Sequence, residues 1–153
     1  RPFNNYGPGL DINDKRVVPD LCKNILDNKN LTLYSDGRAK RTYCYIADAI
    51  CGYIKVLVNG KNGNAYNIGM DQPEISVIQL AKKIEKIAKI NYGYNKKIIF
   101  KKNSDINYLI DNPKRRCPDL SKSIKDLSYN PQISLEKGLA NTLRWYKEII
   151  NES

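Results

Sequence analysis

Between Arg16 and Asp27, Val17, Val18, Leu21, Cys22, Ile25 and Leu26 return at three- and four-residue spacing. That predicts an amphipathic helix, with Pro19 in its first turn where a missing N–H does little harm. Leu31 to Tyr34 reads as a short strand, Ser35-Asp36-Gly37 as a turn, and Arg41-Thr42-Tyr43-Cys44-Tyr45 as a second extended piece, rich in strand-favouring residues. The stretch from about Ala47 to Val58 is apolar on nearly every side, which predicts a helix buried against its neighbours. Asn59 to Gly63 closes it as a loop, and Ala65-Tyr66-Asn67-Ile68, bounded by Gly69, reads as a strand. Ser76 and Gln79 have the spacing of a capping box, and behind them Val77, Leu80, Ala81, Ile84, Ile87 and Ala88 form one face of a helix whose other face is lysine-rich. Ile98-Ile99-Phe100 suggests a strand and Leu120 to Leu127 a short helix. From Ser134, Leu135, Leu139, Leu143, Tyr146 and Ile150 mark a last helix, with Trp145 alongside. Helices alternating with short strands define an α/β class with more helix than strand, and strands so few predict that partners for some lie outside this chain.

The chain has 153 residues, 41% hydrophobic and 27% charged, which suits one packed domain. It lacks an apolar run of about 18 residues and a signal-peptide layout, so the expectation is a soluble, cytoplasmic protein with no membrane partner. It opens at Arg1 without Met, directly into what reads as the end of a strand. That predicts a piece of something longer. Lys and Arg number 26 against 16 Asp and Glu, a surplus of +10 that attracts polyanions, whether nucleic acid, anionic lipid or nucleotide phosphates. The lysines are scattered among Asn and Ile instead of clustering with aromatics as a nucleic-acid surface would. A basic nucleic-acid-binding module is therefore the alternative, not the leading reading. Cys22, Cys44, Cys51 and Cys117 form no C-x-x-C pair and there is no His, so no metal site is expected, and the thiols read as reduced and mostly buried. Without an imidazole, His-dependent triads are excluded within this chain.

Three segments carry candidate chemistry. Arg1-Pro2-Phe3-Asn4-Asn5-Tyr6-Gly7-Pro8-Gly9 joins a strand-like start to two adjacent amides and a turn that brings backbone close to a ligand. Ser35 to Arg41 gathers three cations before a strand, suited to a diphosphate. Lys114-Arg115-Arg116 is a short basic run. Taken singly, each reads more simply as a strand exit or a solvated loop.

Taken in order, the segments resemble a known family. The opening nine residues, Arg16-Val17-Val18-Pro19, Leu31-Thr32-Leu33-Tyr34-Ser35-Asp36-Gly37, Arg41 to Ala49, Tyr66-Asn67-Ile68-Gly69, Asp111 to Asp119 and Ser134 to Leu139 look like consecutive signatures of the extended short-chain dehydrogenases that act on nucleotide sugars. The resemblance implies a helix-rich α/β fold, residues 1–153 forming the C-terminal, nucleotide-sugar-binding lobe of an NAD-dependent epimerase, dehydratase or decarboxylase without the N-terminal Rossmann half. The G-x-x-G-x-x-G fingerprint that cradles a dinucleotide is not found; Gly60 and Gly63 lack the third glycine at the needed step. NAD is thus expected in the parent enzyme, held mainly by the other half, with none bound by this chain. The parent is expected to be a homodimer.

Carried over position by position, the resemblance implies that Asn4 contacts the diphosphate and Asn5 faces the nicotinamide side of the cleft. Arg16 and Val17 would line the nucleotide sugar or the cofactor, Thr32 and Tyr34 flank the nucleobase, Arg41 bind the phosphates, and Arg115 make a second phosphate contact, in an alignment that can slip by one. Cys117 and Asp119 are assigned to packing and helix capping. Tyr92 and Lys96 fit the family's Tyr-x-x-x-Lys spacing, but they flank Gly93 and Asn95 between a helix and a strand. They are not taken as catalytic, and no catalytic residue is assigned here. The start Arg-x-Phe-Asn and the run Lys-Arg-Arg-Cys-Pro-Asp are most similar to UDP-glucuronate decarboxylases. Gly9-Leu10 stands where many of them have Arg-Met after the turn, so dTDP-glucose 4,6-dehydratase-like and 4-epimerase activities stay open.

Overall fold

The computed structural model describes residues 1–101 and 113–152; Asp111 and Asn112, which open one of the motifs above, lie outside them. The elements run β1 (Asn5–Tyr6), α1 (Val17–Leu26), β2 (Leu31–Leu33), β3 (Lys40–Arg41), β4 (Cys44–Tyr45), α2 (Ile46–Asn59), β5 (Ile75–Ser76), α3 (Val77–Tyr92), β6 (Ile98–Phe100), β7 (Arg115–Arg116), α4 (Ser121–Leu127) and α5 (Leu135–Glu152). No helix among the described residues is long and apolar enough to cross a membrane.

Three small sheets organise these pieces. β1 and β4 pair in parallel, as do β2 and β6, while β3 lies between antiparallel β5 and parallel β7. The stretch expected as one strand from Arg41 to Tyr45 is divided: β3 belongs to one sheet and β4 to another, with Thr42 and Tyr43 turning between them. The expected strand at Ala65 to Ile68 contracts to a single parallel bridge between Ile68 and Pro2. The basic run around Arg115 is not a solvated loop, because β3 offers it a free edge and draws it into a strand. α3 starts on the anticipated capping box, with the Gln79 N–H donating to Ser76 Oγ and the Ser76 N–H donating to Gln79 Oε1 at 2.8 Å, and stops at Gly93 with φ 66°.

Two apolar clusters hold the elements. The first joins α1, β2, α3 and α5 through Leu21, Cys22, Leu31, Leu80, Ile84, Leu139 and Leu143. The second joins α2 to α4 and the segment after it, through Cys44, Ala49, Tyr66, Ile68, Leu120, Leu127 and Tyr129. Gly52 marks how tightly α2 seats on this second cluster, since a Cβ there would lie 2.6 Å from Ile68 Cγ2 and 2.8 Å from a Tyr129 ring carbon. Asp48, in the first turn of α2, accepts the Ile133 N–H at 2.8 Å, and Lys55 donates to the Leu127 and Ser128 carbonyls.

The helix α2 is not buried all round. Asp48, Ala49 and Gly52 face inward, while Ile50, Tyr53, Ile54, Leu57 and Val58 face outward. Burial reaches only the flank that meets Ile68 and Tyr129, because no described element lies against the other. The thiols divide likewise: Cys22 and Cys44 are buried, Cys117 half-buried, and Cys51, on the outward side of α2, exposed.

Two stability predictions follow from this packing. Gly52→Ala gains about 1 kcal/mol of helix propensity but overpacks Ile68 and Tyr129 at a cost of roughly 1–3 kcal/mol. Overpacking therefore wins, and the urea midpoint is expected to fall; a rise would show that the contact relaxes freely. Burial pushes the Cys44 thiol up to about 11 and raises the Tyr6 and Tyr129 hydroxyls further. Acids whose pKa is raised on folding stabilise the fold below their unfolded values and lose that contribution as pH climbs toward the folded ones. With no His in the chain, urea stability is expected to be level from about pH 6 to 8 and to decline above about 9; a fall centred near pH 6.5 would contradict this.

Candidate functional site

A cleft of about 400 Å³ opens where β1, the start of α1, β3 and β7 meet, lined by Asn4, Asn5, Arg16, Arg41, Tyr43 and Arg116 among others. A second hollow of about 330 Å³ shares Asn5, Tyr6, Leu10 and Arg16 with it and runs along the Gly7-Pro8-Gly9 turn. Each wall has a local cause. Asn4 takes a left-handed backbone, φ 45°, which a short polar side chain tolerates. Its amide donates to the Thr42 carbonyl at 2.9 Å, and its own carbonyl accepts the Cys44 N–H. One residue thus ties the opening strand to the turn between β3 and β4. Tyr6 crosses behind the cleft to the Leu135 carbonyl at 3.3 Å. It fits because residue 138 is glycine: a Cβ there would overlap the Tyr6 hydroxyl and lie 2.9 Å from its Cζ.

Arg41 is buried, with its guanidinium donating to the Lys40 carbonyl at 3.1 Å. Alternation along a strand puts neighbours on opposite faces, and the β3–β7 register sets Arg41 beside Arg116 and Lys40 beside Arg115. Arg41 and Arg116 accordingly share the cleft face. Arg115 turns the other way and pairs with Glu74, Nε to Oε1 at 2.8 Å, a contact that raises the guanidinium's pKa. Lys15 and Arg16 bring further positive charge, and the described lining contains no Asp or Glu. The N-cap and first turn of α1, Arg16 to Pro19, also line the cleft, so Val17 and Val18 add N–H groups without intrahelical acceptors beside the positive end of the helix dipole, while the Arg16 N–H is taken by Asp14 Oδ1 and Pro19 has none. Such a surface selects an anion, and two guanidinium groups on adjacent strands suit one with several oxygens.

Of the residues expected from the sequence, Asn4, Asn5, Arg16, Val17 and Arg41 come together in this cleft. Arg16 is held back from it, since its guanidinium grips Asp14 with both nitrogens within 3.1 Å, and the hydrogen bond from Arg16 keeps the Asp14 carboxyl below its usual range. Thr32 is buried in β2 and Tyr34 lies just beyond it, 40% exposed; neither lines the cleft, and nor does Arg115. Arg116, Lys15 and Tyr43 were not singled out beforehand. The one-residue slip around Arg115 was the available signal for Arg116, and the strand register puts Arg116 on the cleft face. Asp119 Oδ1 accepts the Ser121 N–H at 2.8 Å at the start of α4, and Cys117 Sγ lies 3.5 Å from the Asp71 carbonyl. Tyr92 ends α3 beneath the Lys147 ammonium, 4.2 Å from its ring centre, and neither it nor Lys96 lines the cleft.

Two of the described strand-to-helix junctions lack the turn of a dinucleotide cradle. β4 passes straight into α2 and β5 straight into α3, so neither junction has the glycine turn that lets backbone approach a pyrophosphate. At the cleft wall the Asn5 amide nitrogen contacts the Tyr53 hydroxyl, and its Oδ1 is buried without a hydrogen-bond partner.

Known proteins share this sequence and shape. Residues 1–69 match the model of the NAD dependent epimerase/dehydratase family. UDP-glucuronic acid decarboxylase 1 of Xenopus tropicalis is 31% identical over 97% of this chain. In sequence and fold the chain is similar to NAD-dependent epimerases and dehydratases. The UDP-glucose 4-epimerase of Thermotoga maritima, solved with UDP-glucose, superposes with a TM-score of 0.85 over 98% of this chain at 26% identity. The UDP-glucuronic acid 4-epimerase of Bacillus cereus, solved with UDP-glucuronic acid and NAD, does so with 0.80 over 97% at 29% identity. The chain spans 32% of the length of the decarboxylase and 45% and 44% of the two epimerases. It is an α/β unit that spans less than half the length of the relatives it resembles.

The Asp14–Arg16 clamp yields a prediction. Asp14→Ala releases an exposed pair worth about 0.2–1 kcal/mol and returns the Arg16 charge to the cleft, so affinity for a small polyanion such as pyrophosphate is expected to rise two- to fivefold by calorimetry. A drop would mean that Asp14 shapes the cleft more than it restrains Arg16.

Proposed function

We propose that residues 1–153 form the nucleotide-sugar-holding domain of an NAD-dependent epimerase, dehydratase or decarboxylase, and that the cleft between β1, α1, β3 and β7 receives the substrate's diphosphate. The observation that carries this reading is the Arg41–Arg116 pair on one face of β3 and β7, in a lining without carboxylates among the described residues. The substrates named with the solved neighbours, UDP-glucose and UDP-glucuronic acid, are diphosphates of the kind such a pair recognises.

In this reading Arg41 acts as a fixed donor: it is buried and its guanidinium is steadied by the Lys40 carbonyl. Arg116 closes on the same phosphates from the cleft rim, and the first amides of α1 approach the remaining oxygens. Asn4 keeps the β1 wall in register with β3 and offers its polar edge to the diphosphate, while Asn5 turns its buried Oδ1 toward the cofactor side. NAD supplies the redox chemistry of the complete enzyme, and in this reading it is held mainly by a second half. The isolated chain is accordingly a binder of nucleotide diphosphates and catalyses no turnover.

Isothermal titration with UDP and with UDP-glucuronate tests this. Removing one charge-assisted contact costs about 1.5–3 kcal/mol, so Arg41→Ala and Arg116→Ala are each expected to weaken UDP binding roughly 10- to 100-fold. Arg115→Ala, which loses only the Glu74 pair, should stay within about twofold. Arg116 is exposed, so its variant folds even if the buried Arg41 position resists change. Equal heats for the native chain and both cleft variants would remove the phosphate role.

A further inference from the structure

Three places in the chain set an Asn or Asp directly before a glycine: Asp36-Gly37, Asn59-Gly60 and Asn62-Gly63. A glycine there has no Cβ to keep its backbone nitrogen away from the side-chain carbonyl carbon of the residue before it, so such a pair is chemically able to close a five-membered ring. The fold treats the three differently. At Asp36-Gly37 the Gly37 N–H donates to Ser35 Oγ at 3.3 Å, and the Asp36 carboxylate accepts the Arg38 N–H at 3.0 Å. Asn59 is the last residue of α2, and the Gly60 N–H still donates to the Val56 carbonyl at 2.9 Å. A Cβ on Gly60 would overlap that oxygen, so closely does the helix end fold over the nitrogen. Asn62-Gly63 is open. Both residues are exposed, a Cβ at residue 63 would meet nothing within 4 Å, and among the described residues neither the Asn62 side-chain amide nor the Gly63 N–H makes a hydrogen bond. The turn around them is anchored all the same: the Asn64 N–H donates to the Lys61 carbonyl at 3.1 Å, Asn64 Nδ2 to the Asn62 carbonyl at 3.2 Å, and Lys122 Nζ to Asn64 Oδ1 at 2.8 Å.

We propose that Asn62 is a self-modification site, at which the chain deamidates through a succinimide, and that the fold protects Asn59 from the same reaction. The Gly63 N–H gives its proton to hydroxide, and the nitrogen attacks Asn62 Cγ. A bond forms between Cγ and the Gly63 nitrogen, the bond from Cγ to Nδ2 breaks, and the side-chain nitrogen leaves as ammonia with a proton from water. Water then opens the ring at Cγ to give aspartate, or at the backbone carbonyl carbon to give isoaspartate. The net change consumes one water and releases one ammonia, and nothing is oxidised or reduced. At Asn59 the same attack requires the Gly60 N–H to leave the Val56 carbonyl and residue 59 to leave its helical backbone angles. At Asp36 the attacked group is a carboxylate, which resists a nucleophile, and the Gly37 nitrogen must first leave Ser35. The new charge arises beside Lys61, whose ammonium lies 3.8 Å from Asp126 Oδ1, and away from the cleft, which residues 59–64 do not line.

Trypsin cuts after Lys61 and so places Asn59 and Asn62 in separate peptides. The 153-residue chain is held in mildly alkaline buffer, once folded and once unfolded in guanidinium chloride, and mass spectrometry follows the mass gain of amide-to-acid exchange in each peptide. Unfolding removes the Gly60–Val56 bond but leaves both Asn-Gly pairs in place. The ratio of the Asn62 rate to the Asn59 rate is therefore expected to be about fivefold or more higher in the folded chain than in the unfolded one, with aspartate and isoaspartate both appearing at residue 62 and the rate there rising with pH. A ratio that is the same in both states overturns the proposed protection, since the glycines alone would then set the rates. An Asn62 that reacts no faster than Asn59 in the folded chain, or that yields aspartate with no isoaspartate, overturns the site.

Discussion

The pairing of β3 with β7 is the constraint on which the site depends. Each strand is two residues long, and their parallel register couples Arg41 to Arg116 and Lys40 to Arg115. The side-chain period of a strand is two, so a slip of one residue would exchange the members of each set. It would bring Arg115 into the cleft with its Glu74 partner lost and turn Arg116 out to solvent. Neighbouring contacts oppose that slip. The Thr42 N–H donates to the Arg116 carbonyl and the Lys40 N–H to the Lys114 carbonyl, while β5 holds the other edge of β3 through Ile75 and Ser76. A short ladder thus fixes which cations meet, and the ion pair between Arg115 and Glu74 keeps the remaining one occupied elsewhere.

Around this ladder the fold brings distant segments to one opening. Asn4 bonds to the turn after β3, Tyr6 reaches α5 through the gap left by Gly138, and the Tyr146 hydroxyl returns to the Leu10 carbonyl at 2.7 Å. The opening strand and its glycine-proline turn are consequently pinned at both ends by packing contacts, although they expose the cleft between them. The cleft is shaped mainly by these anchoring bonds.

Much of this was legible in the sequence, for reasons that differ by element. The helices α1, α3 and α5 announced themselves because each buries one face at helical spacing, and α3 also displayed its capping box. Arg41 and Asn4 were found through motif order, and the structure gathers them with Asn5, Arg16 and Val17. The misses share a cause: they depend on which strand lies next to which, and a two-residue strand has too little pattern to reveal its neighbour. β7 was hidden inside a basic run, and its register sets Arg116, and not Arg115, on the cleft face. The length of the 41–45 strand was overread because both of its halves are β-rich, although they enter different sheets. The composition of α2 predicted burial on most sides, whereas the structure buries only the flank with Asp48, Ala49 and Gly52 and leaves Ile54 and Leu57 exposed.

The central claim is that Arg41 and Arg116 act together on a diphosphate while Arg115 stands apart. Side-chain Nε–Hε resonances of the arginines, followed by NMR as UDP is added, test it most directly. Shifts at Arg41 and Arg116 that saturate with one binding constant, beside an unmoved Arg115, are the predicted result. Movement at Arg115 with Arg116 silent, or equal small shifts at every arginine, would contradict it.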